Sequence, residues 1–153
     1  MQPLEFLHTA EDLWRNGIRE ADWRSSISRS YYAVYWMIGE EFLKTMPLIL
    51  LQSVSLARKK DHLVHEKLPM VLKGSSDAKI QELGEALENL RLARVKADYH
   101  LASAISQVKA EDEYGNATDL RDELQKYGVL NLATVVQRDL QTVHGVSSPP
   151  KIR

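Results

Sequence analysis

The sequence predicts an all-α fold, an antiparallel bundle of four to five helices, and three observations support this prediction. Helix-forming residues dominate the long segments, while glycine and proline number only seven and five in 153 residues. Apolar residues recur at three- and four-residue steps, and alternating β-branched patterns are nearly absent, so that no segment is a strand candidate. Long helical segments with short connections are typical of a helix bundle.

Length and composition indicate the domain organisation. With 44% hydrophobic residues, the chain is long enough to bury one sizeable core. We therefore expect a single helical domain over residues 1–145. The last segment, VSSPPKIR at residues 146–153, has the composition and position of a disordered tail.

Charge and residue content exclude several classes of function. Lysine plus arginine number 20 and aspartate plus glutamate 21, so the formal charge is -1 and no extended basic surface is available for a nucleic-acid duplex. The absence of cysteine excludes disulfides, thiolate metal sites and cysteine nucleophiles. The opening segment lacks the basic start and apolar core of a signal peptide, and no apolar run approaches the ~18 residues that span a bilayer. We expect a cytoplasmic protein with no membrane partner.

The first two helices are predicted from the spacing of their apolar residues. Proline is acceptable at a helix start, which places the first helix over residues 3–15, before Asn16 and Gly17. Asp22 is expected to cap a second helix over residues 23–44. The apolar face of this second helix is the strongest periodic signal in the chain and consists of Trp23, Ile27, Tyr31, Val34, Ile38 and Phe42.

The segment over residues 45–61 fits neither a clean helix nor a solvated loop. It contains the apolar stretch MPLILLQSVSLA and then Arg58, Lys59 and Lys60. Two interpretations stay open: a connection that covers the core, or a surface that binds a partner. A short helix is predicted over residues 61–73, and Gly74 closes it.

The remaining sequence predicts two further helical regions. The first covers residues 77–101, and a polar interruption, AEDEYGN at residues 110–116, is expected to follow it. The second covers residues 118–143, and its apolar face changes side at Gly128. Either the helix breaks at this glycine, or one continuous helix buries different sides against different neighbours.

Arg94 lies almost at the centre of the apolar stripe of the predicted 77–101 helix. Burial of an unpaired guanidinium costs several kcal/mol, so Arg94 requires a carboxylate or a cleft open to solvent or ligand. Asp98, four residues later, and Glu41, on the inner side of the second helix, are the candidate partners. One interpretation is a structural ion pair that fixes helix register. The other is a functional site with His100, which a regular helix rotates about 120° away from Arg94.

Three motifs together carry a family resemblance. The string RSSISRSYYAVYW at residues 24–36 is followed by His62 or His65, and then by LRLARVKADYH at residues 90–100. In this combination they resemble the HEPN domain superfamily, and in particular its small prokaryotic members of the R-x-x-A-D-Y type. The resemblance covers roughly residues 4–101. It implies a bundle of four or five helices, a homodimer, and Arg94 as the characteristic arginine of the family.

The resemblance also implies an activity. Catalytic HEPN proteins are metal-independent endoribonucleases marked by an arginine, four to six intervening residues and a histidine, and Arg94 and His100 have five residues between them. The histidine would act as acid or base on the 2′-hydroxyl or the leaving oxygen, and the arginine would stabilise charge on the phosphate. Asp98 would organise this pair, and Arg91 would contact the substrate. We therefore expect a toxin or defence component that cleaves RNA without a cofactor.

The sequence departs from the catalytic pattern, which leaves an alternative open. Val95 follows Arg94, and Ala102 stands two residues after His100, where ribonuclease members carry a polar residue and often a tyrosine. The alternative is a non-catalytic HEPN module that binds a nucleotide or a partner nucleotidyltransferase, with the arginine in a structural role. Some HEPN toxins are neutralised by a nucleotidyltransferase antitoxin that adenylylates a tyrosine, and the resemblance makes Tyr99 the candidate.

Two other groups of residues are expected to be structural. His62 and His65 lie beside Glu66, but no third ligand set accompanies them, so we expect solvated or capping roles rather than a metal site. The aromatic band of the second helix is expected to form core and dimer interface rather than a base-stacking platform, and it consists of Tyr31, Tyr32, Tyr35 and Trp36.

Overall fold

The computed structural model describes residues 2–59 and 62–144 of the chain. Within these residues the chain forms seven helices and one two-stranded hairpin, which confirms the predicted all-α class. The elements are α1 (Pro3–Asn16), α2 (Glu20–Thr45), α3 (Leu48–Ser53), β1 (Ala57–Lys59), β2 (His62–Leu63), α4 (Lys67–Lys73), α5 (Ala78–Tyr99), α6 (Gln107–Tyr127) and α7 (Val129–His144). None of these helices is both long enough and apolar enough to cross a bilayer. The predicted tail at residues 146–153 lies outside the described residues.

α2 is the central helix of the bundle, because α1, α5, α6 and α7 all pack against it. Its side chains Tyr31, Tyr35 and Phe42 are fully buried. A buried hydrogen bond also joins it to α1, in which Ser26 Oγ donates to the carbonyl oxygen of Ala10 over 2.7 Å. This bond gives a partner to a hydroxyl that would otherwise be buried without one.

Asp22 caps α2 from inside the first turn rather than from the position before the helix. α2 begins at Glu20, earlier than the predicted start at residue 23. The Oδ2 atom of Asp22 accepts a hydrogen bond from the backbone N–H of Arg19 over 3.2 Å. A carboxylate that reaches back from the first turn in this way is half of a capping box. The predicted start of the second helix at residue 23 was therefore wrong. Asp22 was expected to precede the helix, but it lies in the first turn of the helix that it caps.

The segment between α2 and α4 covers the core, which is the first of its two predicted roles. Met46, Leu50, Leu51 and Leu56 are buried, whereas Ile49 is 70% exposed. The segment also contains the antiparallel β1–β2 hairpin, although the sequence offered no strand candidate. Strands of two or three residues are too short to produce the alternating pattern by which a strand is identified.

The predicted helix over residues 61–73 was wrong for residues 62–66, the part of its first half that the structure describes. Leu63 is buried and pairs with Ala57 in the hairpin, so this part of the chain is extended rather than helical. α4 begins only at Lys67, and Pro69 is tolerated because it lies in the first turn, where a backbone N–H has no helical partner.

α6 includes the residues that were predicted to interrupt the helical region. Ala110 and Ala117 are fully buried, and Glu113 is only 6% exposed. These positions recur at helical spacing and form the inner face of the first half of α6. The predicted interruption at residues 110–116 was wrong, because small residues and one buried glutamate replace the large apolar residues that usually mark such a face.

The chain breaks its helix at Gly128, the first of the two predicted alternatives. Gly128 has a φ of 91° and separates α6 from α7. Glycine is favoured at a positive φ because it has no Cβ to collide with the backbone. Leu124 before the break and Leu132 after it are both buried. The break therefore lets two differently oriented apolar faces reach the same core.

Two helical glycines provide a matched test of this packing. A Cβ built on Gly84 would lie 2.7 Å from the Cβ of Leu72 and 2.8 Å from the backbone nitrogen of Lys73, whereas a Cβ on Gly115 would meet nothing described within 4 Å. We expect Gly84→Ala to lower the free energy of unfolding by about 1–3 kcal/mol through overpacking. Gly115→Ala should raise it by about 0.5–1 kcal/mol. Urea unfolding measures both, and effects of the same sign would contradict the close approach of α4 to α5.

Candidate functional site

Arg94 lies in the second half of α5 and reaches toward α2. Its side chain is 13% exposed, and its Nε atom lies 2.8 Å from Oδ2 of Asp98. Its Nη2 atom donates a hydrogen bond to the hydroxyl of Tyr32 over 2.8 Å. The Nε–H bond does not point at the carboxylate, so the contact with Asp98 is an ion pair without a hydrogen bond. The structure thus places Asp98 as the carboxylate that faces Arg94.

Asp98 also contacts α2. Its Oδ2 atom accepts a hydrogen bond from Ser28 Oγ over 3.3 Å. Ser28 and Tyr32 are four residues apart and lie on the same side of α2, about one turn from each other. The Arg94–Asp98 pair therefore contacts two successive turns of α2, which fixes the register between the two helices.

Glu41 does not belong to this cluster. It follows Tyr32 by nine residues in α2, which corresponds to about 13 Å along the helix axis. Among the described residues Glu41 forms no ion pair. The expected Arg94–Glu41 pair does not form, because Arg94 contacts α2 at Tyr32. A helical wheel shows on which side of a helix a residue lies, but not its position along the helix axis.

Aromatic rings surround the guanidinium of Arg94. Its central carbon lies 5.2 Å from the ring centre of Tyr32, 5.5 Å from that of Tyr99 and 5.9 Å from that of Tyr31. Attraction between the cation and these rings offsets part of the cost of burial. Burial alone would lower the pKa of Arg94, but the facing oxygen atoms of Tyr32 and Asp98 outweigh it and raise that pKa. Arg94 therefore stays charged.

His65 is a residue of this site to which the sequence analysis gave no role beside Arg94. Its ring stacks on Tyr35 with 4.3 Å between ring centres, and its Nδ1 atom lies 2.9 Å from the hydroxyl of Tyr31. The expected solvated or capping role is therefore wrong. The available signal was Tyr31 on the apolar face of the predicted second helix, because a tyrosine hydroxyl on such a face requires a hydrogen-bond partner when it is buried.

The environment of His65 favours its neutral form. Burial lowers the pKa of His65, and the positive charge of Arg94 lowers it further. Burial also raises the pKa of Tyr31, so its hydroxyl keeps its proton. A Tyr31 hydroxyl that donates to Nδ1 leaves the histidine proton on Nε2. The arrangement thus holds a neutral imidazole near a permanent cation.

His100 lies outside this cluster. It follows the last residue of α5 and is exposed, as are its neighbours Tyr99 and Leu101 at 66% and 75%. Its position is fixed through the backbone, because its N–H donates to the carbonyl oxygen of Lys96 over 3.1 Å. In the described part of the chain, no hydrogen bond or ion pair joins His100 to Arg94. The catalytic use of this pair stays a prediction.

Arg24 holds the chain that carries His100. Its side chain is 11% exposed and pairs with Glu20 over 2.6 Å. Its Nη1 atom donates to the carbonyl oxygen of Ala97 over 2.8 Å, and its Nη2 atom donates to that of Ser103. These carbonyls lie at and beyond the C-terminal end of α5, where helical partners run out and a positive charge is favourable. Arg24 therefore caps α5.

Arg91 is already paired. Its Nε and Nη2 atoms each donate to a carboxylate oxygen of Glu88 over 2.9 Å, and the hydrogen bond to Glu88 raises the pKa of Arg91. A substrate phosphate would have to displace this carboxylate. In the ranges 2–59 and 62–144, no three histidine, aspartate or glutamate side chains gather as a metal site would require.

Comparison of the chain with protein-family models, with curated proteins and with solved structures gave no match. Its function is therefore inferred from its own residues and contacts.

The neutral His65 predicts a dependence of stability on pH. Because the native state lowers its pKa, the unfolded state binds more protons between that pKa and about 6.5, and stability falls as the pH drops through this range. We expect His65→Phe, which keeps an aromatic ring beside Tyr35, to flatten this slope between about pH 5 and pH 7. It should also cost about 1–3 kcal/mol, since Tyr31 loses its partner.

Urea midpoints measured across this pH range test the prediction. His8→Phe is the matched control, because His8 is exposed on α1 and its replacement should leave the slope unchanged. Equal slopes for wild type and His65→Phe would show that His65 does not titrate differently in the folded chain.

Proposed function

We propose that the chain is a HEPN-like helical module that acts by binding a partner rather than by cleaving RNA within one protomer. The observation that carries the proposal is the pairing of Arg94. The guanidinium already has Asp98 on its own helix and Tyr32 on α2, and such a pair fixes helix register. His100, the other half of the expected catalytic motif, is exposed beyond the end of α5.

The partner that the family resemblance implies is a nucleotidyltransferase or its nucleotide. Tyr99 supports this part of the proposal, because it is 66% exposed and its ring contacts the Arg94 guanidinium at 5.5 Å. An exposed phenol beside a cation is accessible to an enzyme that transfers a nucleotide, and the cation favours the negative phosphate. In this role the chain would be one component of a toxin–antitoxin or defence pair, with a homodimer as its expected state.

A second candidate function is the metal-independent endoribonuclease. It is favoured by the fixed and exposed position of His100, whose backbone is held to α5 while its ring is free to reach a substrate. In this function His100 takes the proton of the RNA 2′-hydroxyl, and the 2′-oxygen attacks the phosphorus as the bond to the 5′-oxygen breaks. The imidazolium of His100 then gives its proton to the 5′-oxygen, which leaves as a hydroxyl, and a 2′,3′-cyclic phosphate remains. Arg94 would stabilise the phosphate, and a twofold partner would have to bring the second set of groups into one cleft.

Paired variants separate these two functions. If the arginine is structural, Arg94→Ala should lower the free energy of unfolding by about 2 kcal/mol, because Asp98 and Tyr32 lose their partner. His100→Ala should change neither stability nor any RNA cleavage. Urea unfolding and a cleavage assay on single-stranded RNA with EDTA measure both effects. Cleavage by the wild type that both variants lose, with helical content intact, would establish the ribonuclease instead.

Nucleotide transfer to Tyr99 is tested by mass spectrometry. The chain is co-expressed with a nucleotidyltransferase that uses ATP, so that the Tyr99 oxygen displaces pyrophosphate from the α-phosphorus. We expect the mass of one or more AMP groups on the wild type and none on Tyr99→Phe. Tyr114→Phe serves as the control, because Tyr114 is half-buried and bonded to Glu11 over 3.1 Å. AMP on Tyr99→Phe at the wild-type level would contradict this assignment.

A further inference from the structure

A groove of about 360 Å³ runs along the outside of the bundle between α5 and α6. Its floor is apolar and consists of Leu83, Leu90 and Leu120, all nearly fully buried, with the small Ala86 between them. Its lining comes from α5 and α6 alone. The groove is separate from the Arg94 cluster, which lies where α5 faces α2.

The lining residues of each helix recur at three- and four-residue steps. They span residues 79–90 of α5 and 113–123 of α6, so the groove is about 16 Å long, or three helical turns. This spacing is the one by which a helix presents a face to another helix. The groove therefore has the dimensions to accommodate one more helix, which would pack against both α5 and α6.

The rim of the groove is acidic. Glu82, Asp119 and Glu123 line it, and Glu113 lies deeper, where it pairs with Lys109 over 2.7 Å. Lys79 lies 2.7 Å from Glu123 and 3.5 Å from Glu82, and Lys126 lies near Glu123. Asp119 has no ion pair among the described residues. Four carboxylates thus face three lysines, and the surplus is one negative charge at Asp119.

The polar lining adds hydrogen-bonding groups. Asn89 and Asn116 face the groove from the two helices, and within residues 2–59 and 62–144 neither amide forms a side-chain hydrogen bond. A partner backbone or side chain in the groove would therefore find free donors and acceptors above an apolar floor, which is the usual composition of a binding groove.

We propose that this groove binds a basic amphipathic helix of a partner protein. Apolar side chains at steps of three and four residues pack over the half-buried Ala86 and the outer atoms of the floor leucines. Flanking lysine or arginine side chains meet Asp119, Glu82 and Glu123. The negative rim repels nucleic acid, so RNA is not the occupant of this surface. The inference goes beyond the proposed function, because it holds whether Arg94 is structural or catalytic.

Two synthetic peptides test the proposal. One is an amphipathic helix of about four turns with leucine on one face and lysine on its flanks, and the other has glutamate in place of every lysine. Fluorescence anisotropy with the full chain should show binding of the lysine peptide, and binding of the glutamate peptide weaker by at least about tenfold. Equal affinity of the two peptides, or no binding of the lysine peptide, would overturn the proposal.

Variants of the chain locate the binding surface. Asp119→Lys should weaken binding of the lysine peptide by about tenfold. The matched control is Asp112→Lys, which makes the same charge change at an exposed position of α6 outside the groove and should change the affinity by less than about threefold. Ala86→Arg, which fills the floor, should abolish binding while circular dichroism shows the helices intact. Equal weakening by Asp119→Lys and Asp112→Lys would show that only net charge attracts the peptide.

Discussion

Burial of the Arg94 guanidinium is the constraint on which the arrangement of α2 and α5 depends. A cation that is 13% exposed inside an aromatic region needs an opposite charge and hydrogen-bond acceptors, or the fold loses several kcal/mol. Asp98 and Tyr32 supply them from two different helices. Any sliding of α5 along α2 would separate these groups, so the charged pair selects one register where leucines alone would accept several.

The same constraint shapes the polar chemistry of the core. The ring of Tyr31 lies 5.9 Å from the central carbon of the Arg94 guanidinium. The hydroxyl of Tyr31 is hydrogen-bonded to His65, which the β1–β2 hairpin brings to α2. Charge, phenols and imidazole thus form one connected network rather than separate polar residues. Such a network is stable when its charged and polar groups have partners. Arg94 has an ion pair with Asp98 and a hydrogen bond to Tyr32, although its Nε–H makes no hydrogen bond. This pairing is the physical reason for assigning the cluster a structural role before a catalytic one.

The sequence predicted those features that depend on local pattern. The apolar spacing of α1, α2 and α5 identified these helices, and the i,i+4 spacing placed Asp98 beside Arg94. Local pattern could not predict two kinds of feature. One is the position of a residue along its helix axis, and the other is a contact between residues that are far apart in the sequence. Glu41 shares a wheel side with Val34 but lies too far along α2 from Tyr32 to reach Arg94. His65 joins the site only because it follows a hairpin of two short strands. The first half of α6 was missed because its inner face is made of alanine and one buried glutamate.

The hydrogen bonds between α2 and its neighbours also imply an order of assembly. Ser26 and Ala10, which join α1 to α2, are 16 residues apart in the chain, whereas Tyr32 and Arg94 are 62 apart. Short loops close at a lower cost in chain entropy, so the α1–α2 hairpin forms first and α5 docks on it later. A chain synthesised only as far as α4 already contains His65, the partner of Tyr31, but Tyr32 still lacks the guanidinium of Arg94. Until α5 docks, we therefore expect the side of α2 at Tyr32 to stay open to solvent.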